Sequence, residues 1–159
     1  MSKKQSAGII LYRFETGKLQ IFLVHPGGPF WQNKDNGSWS ITKGEFLDDE
    51  NPLNAAKREF EEETGFSCSG DFLELSPVKQ KSGKMVYAWA LEKDIDTSKI
   101  KSNEFEMEWP PKSGKLQSFP EIDKAQWFAV AEAKQKINAS QAGFIDELIR
   151  TISRKQKEL

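Results

Sequence analysis

The chain has 159 residues, 37% hydrophobic and 30% charged; this length suits one domain with a buried core, and this mix excludes a disordered polymer and a membrane-embedded protein. Its 23 basic and 24 acidic residues leave a net charge of −1 with no basic stripe, so neither a nucleic acid polymer nor a membrane is an expected partner. With one cysteine, Cys68, and one histidine, His25, neither an internal disulfide nor the usual thiolate or imidazole zinc site can form, so any metal must be held by oxygen, and a cytoplasmic location is expected.

In chain order, residues 5–14 carry Ile9, Ile10, Leu11, Tyr12 and Phe14 and predict a strand. After a turn at 15–18, residues 19–24 predict a second strand, antiparallel to the first and stopped by Pro26-Gly27-Gly28-Pro29. Residues 30–37 read as a polar loop opening on Phe30 and Trp31, and 39–42 as a short extended piece. A helix is predicted from Asn51, its N-cap, through Pro52 at the first helical position to about Glu63, with Gly65 as its left-handed stop. Residues 72–80 and 85–91 predict two strands joined around Ser82-Gly83. Glu104, Glu106 and Glu108 alternate with Phe105 and Met107, which predicts a half-exposed strand over 104–109, then a loop over 110–120 opened by Pro110-Pro111. That exposed strand would give a dimer an edge to pair on, so a monomer and a homodimer both fit. Residues 125–130 predict a last strand; 131–137 and 141–153 predict helices, the second apolar at Phe144, Ile145, Leu148, Ile149 and Ile152. Hairpins mixed with a few helices predict an α/β fold of the α+β kind, a mixed sheet sandwiched between helices, in a single domain over residues 1–159.

The helix that starts at Asn51 carries the chemistry. At about 100° per residue, Leu53, Ala56 and Phe60 share one stripe and should bury, while Glu59, Glu62 and Glu63 fall on the adjoining arc, where Ala55 leaves room. Acids spaced i, i+3 and i+4 repel one another by roughly a few tenths of a kcal/mol per pair, and these stand near the helix C-terminus, whose dipole disfavours negative charge. A hard divalent cation such as Mg²⁺ reverses the sign of that energy. The alternative for an acidic run by itself is a solvated face.

The wider pattern decides between them. Gly44, Glu50 and the run Arg58-Glu59-Phe60-Glu61-Glu62-Glu63-Thr64-Gly65-Phe66 resemble the complete signature box of the Nudix hydrolases. The resemblance implies a loop-helix-loop box in that family's fold, and hydrolysis of a phosphoanhydride in a nucleoside diphosphate-linked small molecule. It further implies Mg²⁺, with Mn²⁺ as a possible substitute, held by Glu59, Glu62, Glu63 and the Gly44 carbonyl. By the same resemblance Arg58 orients a glutamate, Glu50 supports the cluster, and Glu59 or Glu62 acts on the attacking water.

The family recruits one more acid downstream, for which Glu121 is the first choice and Glu104, Glu106 and Glu108 are rivals. The lead-in Trp39-Ser40-Ile41-Thr42-Lys43-Gly44 is similar to that of the diadenosine polyphosphate branch, with Thr42 where proline is common, and Lys43 is suited to a polyphosphate. Trp31 and Tyr87 are the candidates for binding the base, Phe30 and Trp109 further aromatic options, and Tyr87 lies farther from the box than the tyrosine of that branch. Trp89, Trp127 and Phe128 are read as packing, and His25 as incidental. Alternatives are a nucleoside triphosphate or nucleotide-sugar hydrolase and, in another class, a nucleotide-binding regulatory module without turnover.

Overall fold

The computed structural model describes residues 5–157; residues 1–4 and 158–159 of the expected domain lie outside the described residues. Strand β1 (Gln5–Glu15) is central. Residues 6–12 are all buried, because both faces of this strand are covered and its alternate side chains enter two different cores. A two-residue turn at Thr16-Gly17, both with positive φ, returns the chain as β2 (Lys18–Pro26), in the twist that tight hairpins favour.

Along one edge, the first half of β1 pairs antiparallel with β3 (Thr42–Phe46) and the second half with β2. Along the other edge β1 pairs in parallel with β6 (Met85–Glu92). Two short strands, β4 (Leu73–Glu74) and β5 (Val78–Lys79), flank β6, and β9 (Ile122–Ala129) closes the far side against β2. Helix α1 (Pro52–Thr64) covers one face through Ala55, Ala56 and Phe60, packed with Ala7, Ile9, Leu11 and Phe22. Helices α2 (Val130–Lys136) and α3 (Ala142–Lys157) cover the other, where Phe144, Ile145 and Leu148 meet Ile10, Ile21, Leu23 and Phe128. The fold is thus the expected mixed sheet between helices. Fully burying a side chain such as Phe60 contributes about 1.5–3 kcal/mol, enough to hold the acid-bearing helix against the sheet. Among the described residues no helix is long and apolar enough to cross a membrane.

Three expectations are corrected. Residues 72–80 do not form one strand: Pro77 has no N–H to give, and the Ser76 N–H goes to the Glu147 carboxylate at 2.9 Å, so pairing is confined to β4 and β5. Residues 110–120 are not all loop, since Leu116–Pro120 forms β8, paired with β7 (Glu104–Glu108) in a two-stranded arm. The 104–109 strand therefore has an internal partner on one edge. The extended piece expected at 39–42 reaches further, its bridge from Ser40 to Val24 leading into β3 and ending at Phe46.

Candidate active site

Helix α1 begins and ends as its sequence requires. The Asn51 side chain accepts the Asn54 N–H at 3.0 Å, and Gly65, at φ 80°, donates its N–H to the Glu61 carbonyl at 2.7 Å. Two further carbonyls of the last turn are satisfied from outside the helix, that of Glu62 by the Asn103 N–H at 3.0 Å and that of Thr64 by the Lys101 N–H at 2.9 Å. The acids are therefore mounted on a turn braced at both ends.

Arg58 grips Glu50 with Nε and Nη2, at 3.2 and 3.3 Å, and turns Nη1 to Glu59 at 2.9 Å and Glu62 at 3.5 Å. A planar fork suits this role better than an ammonium would. Half-exposed ion pairs of this kind stabilise a fold by only about 0–1 kcal/mol each, so their main effect here is on orientation. Glu63 faces the other way and accepts the Lys43 N–H at 3.1 Å. Gly44 faces the Glu59 carboxylate so closely that a Cβ there would overlap the carboxyl carbon and both oxygens.

Burial, and then the Glu62 charge, push the Glu59 carboxyl above its ordinary range against the pull of Arg58. Burial followed by Glu59 raises Glu63 well above it, opposed by the N–H and charge of Lys43, with Glu121 adding to the rise. Glu121 is raised in turn by burial and by Glu62. Downstream Glu121 and the box acids thus share one electrostatic neighbourhood in which every anion destabilises the next. Such a set favours protons or a hard cation, and oxygen donors gathered against a glycine whose missing Cβ leaves the Glu59 carboxylate room fit a divalent ion. Arg58 draws Glu59 and Glu62 toward itself, and among the described residues no three acidic, histidine or cysteine side chains close around one point.

Beside Glu63 and Glu121 lies a cleft of about 240 Å³, lined also by Trp31, Lys43, Gln80 and Ile122 and by Ser38, Ser40, Asn138 and Gln141. Burial and then Lys84 hold the Lys43 ammonium below its ordinary value, against the attraction of Glu63. The cleft thus sets a cation, two carboxylates and an aromatic ring around one hollow.

A family model described as NUDIX domain matches residues 2–148. The chain belongs to the NUDIX family. It is accordingly a hydrolase acting on acid anhydrides, in a family that generally works with divalent metal ions. Solved structures share its fold. An Ap4A hydrolase from C. elegans, in a binary complex, is 18% identical with a TM-score of 0.62 over 94% of this chain and 98% of that one. The NUDIX domain of Shewanella oneidensis NrtR, complexed with ADP ribose, is 15% identical with a TM-score of 0.64 over 96% and 90%. A mutT/nudix family protein from Listeria innocua is 14% identical with a TM-score of 0.67 over 100% and 99%. No curated protein matches the sequence.

In this NUDIX chain Arg58 gathers Glu50, Glu59 and Glu62, Gly44 lies against Glu59, and Glu63 lines the cleft with Trp31, Lys43 and Glu121. Tyr87 does not join them: it pairs with Ala7 in the sheet and its ring packs on Phe46, 6.1 Å between centroids, on the α1 side. The ring packs on Phe46 and is not part of the cleft lining, so the substrate-binding role expected of Tyr87 gains no support from its placement. Glu104, Glu106 and Glu108 stand exposed on the β7–β8 arm, and Trp109 meets Phe30 edge-on at 5.6 Å. His25 is 1% exposed, its Nδ1 2.7 Å from Asp123 Oδ1 and its Nε2 2.7 Å from the Lys34 carbonyl oxygen, so it is a structural pin for the 26–37 loop. Gln141 went unforeseen. Buried to 1%, it accepts the Ile41 N–H at 3.1 Å and donates to Ser40 Oγ at 3.0 Å, holding the strand that leads to Lys43 and Gly44.

Proposed function

We propose that this NUDIX hydrolase cuts a phosphoanhydride bond in a nucleoside diphosphate-linked substrate, and that the substrate is a dinucleoside polyphosphate such as diadenosine tetraphosphate. The observation that carries the reading is the cleft in which Trp31 and Lys43 stand together with Glu121 and the box acid Glu63. Trp31, 38% exposed, offers a ring to a nucleobase. Lys43 sets a point charge against the phosphate chain. The lead-in to Gly44 and the shared fold of the C. elegans Ap4A hydrolase support the choice of substrate.

Glu59, Glu62, Glu63 and the Gly44 carbonyl are the residues that would hold magnesium, and manganese would fit the same oxygen donors. When bound, the ion supplies neutralisation of the phosphate oxygens and a water of lowered pKa. The chain's own residues do the rest. Arg58 fixes the Glu59 carboxylate, Lys43 and Trp31 orient the substrate, and Glu121, Glu59 or Glu62 holds the attacking water and accepts its proton. A raised carboxyl pKa, as at Glu59 and Glu121, suits a proton acceptor working near neutral pH.

The test is a magnesium-dependent panel of diadenosine tetraphosphate, nucleoside triphosphates, ADP-ribose and nucleotide sugars, with the products read by phosphorus NMR. Two nucleotides from the dinucleotide are expected. A preference for triphosphates, yielding monophosphate and pyrophosphate, would replace this substrate assignment, and tight binding without turnover anywhere in the panel would make the protein a binding module.

A further inference from the structure

Glu121 lies outside the box and between strands: Pro120 ends β8 and Ile122 starts β9. Nothing in the helix dictates where that acid sits, so its place must be set by what holds its backbone. Two of the bonds there are main-chain. The Glu121 N–H donates to the Asn103 carbonyl at 2.8 Å, and the Glu121 carbonyl accepts the Gly27 N–H at 2.8 Å. The third comes from a side chain. The Ile122 N–H donates to Ser102 Oγ at 3.0 Å, and the same hydroxyl donates to the Asn103 carbonyl at 2.7 Å.

The segment that supplies Ser102 and Asn103 is also the one that braces the box helix, through Lys101 N–H to the Thr64 carbonyl and Asn103 N–H to the Glu62 carbonyl. Residues 101–103 are therefore a joint, with the backbone of the box helix bonded on one side and the backbone around the downstream acid on the other. We propose that Ser102 is a positioning residue for Glu121, its hydroxyl fixing the turn that carries this acid at a set distance from Glu59, Glu62 and Glu63. The inference rests on the reading of Glu121 as a working acid of the site. A hydroxyl is required chemically, because the group must accept from one backbone N–H and donate to a carbonyl at once. Alanine leaves the Ile122 N–H, on a residue only 8% exposed, without its partner.

The experiment compares wild type, Ser102→Ala, Ser102→Thr, Glu121→Gln and the double variant S102A/E121Q, all as the full chain. Hydrolysis of diadenosine tetraphosphate and of ATP with magnesium is the first readout, and Mn²⁺ affinity by electron paramagnetic resonance is the second. A displaced catalytic group costs up to about a hundredfold in rate per ångström, so S102A should lower kcat by about tenfold or more with KM within about twofold. Ser102→Thr, which keeps the hydroxyl, should restore the rate. S102A should add little in the E121Q background, because its effect passes through Glu121. Equal losses from S102A with and without Glu121, a change confined to KM, or wild-type kcat in S102A would each overturn the proposal. Wild-type rates in E121Q would remove Glu121 from the site and the proposal with it. If the wild type turned over neither nucleotide, the substrate assignment would fail separately. The joint would then stand only if S102A and E121Q weaken Mn²⁺ alike and the pair no further, and it would fall if S102A left the affinity unchanged.

Discussion

Replacing Gly44 by alanine separates catalysis from folding more cleanly than any other single change in this site. Gly44 is not among the residues with positive φ, so alanine brings no backbone strain. The new Cβ falls on the Glu59 carboxylate, the free end of a flexible side chain and not main chain. The fold can therefore yield by pushing the Glu59 side chain off its rotamer, at about 0.5–1.5 kcal/mol, which for a domain of this size moves Tm by roughly 1–6 °C. Glu59 cannot yield without leaving its place beside Gly44 and its 2.9 Å bond to Arg58. A displacement of about 1 Å in such a group costs up to a hundredfold in rate, or roughly 3 kcal/mol in the barrier. The assay is steady-state hydrolysis of diadenosine tetraphosphate at saturating magnesium, run beside a thermal melt of the same preparation. A kcat within about threefold of wild type would refute the role given to the Gly44–Glu59 contact, and so would a collapse of Tm that makes Gly44 a folding residue.

Glu63 makes a prediction about pH. Burial and the neighbouring Glu59 and Glu121 raise its folded pKa, opposed by Lys43. A raised carboxyl contributes stability that is fully present below its unfolded pKa and is lost as pH rises through the folded one. In metal-free protein, Glu63→Gln should therefore gain Tm relative to wild type as pH is raised from the ordinary carboxylate range toward neutrality and beyond; a wild-type advantage that grows with pH would contradict the burial of this charge. Trp31→Ala should raise KM for the nucleotide by about tenfold, the loss of one stacked ring, with kcat little changed, and an unaltered KM would remove Trp31 from the binding site.

The box helix was legible in the sequence because its signals are local: Asn51 caps, Pro52 opens, Gly65 stops, and the acids fall by helical geometry on one arc. The two long strands β1 and β2 were legible too, from uninterrupted apolar runs. What failed was set by partners far along the chain. Leu116–Pro120 becomes a strand only because Glu104–Glu108 lies opposite it. The break near Pro77 is completed by Glu147, 71 residues away from Ser76. Gln141 reaches back 100 residues to Ile41, and nothing around a glutamine announces that. Tyr87 stands farther from the box than the tyrosine of the diadenosine polyphosphate branch, and its register beside Ala7 sets its ring against Phe46.

The claim on which the account turns is that the acids at the end of α1 hold a divalent cation. A crystal soaked in manganese and measured at the metal's absorption edge tests it most directly. Anomalous density is expected between the Gly44 carbonyl and the carboxylates of Glu59, Glu62 and Glu63, and it should vanish in Glu59→Gln. Density elsewhere on the protein, or none at saturating manganese, would contradict the account.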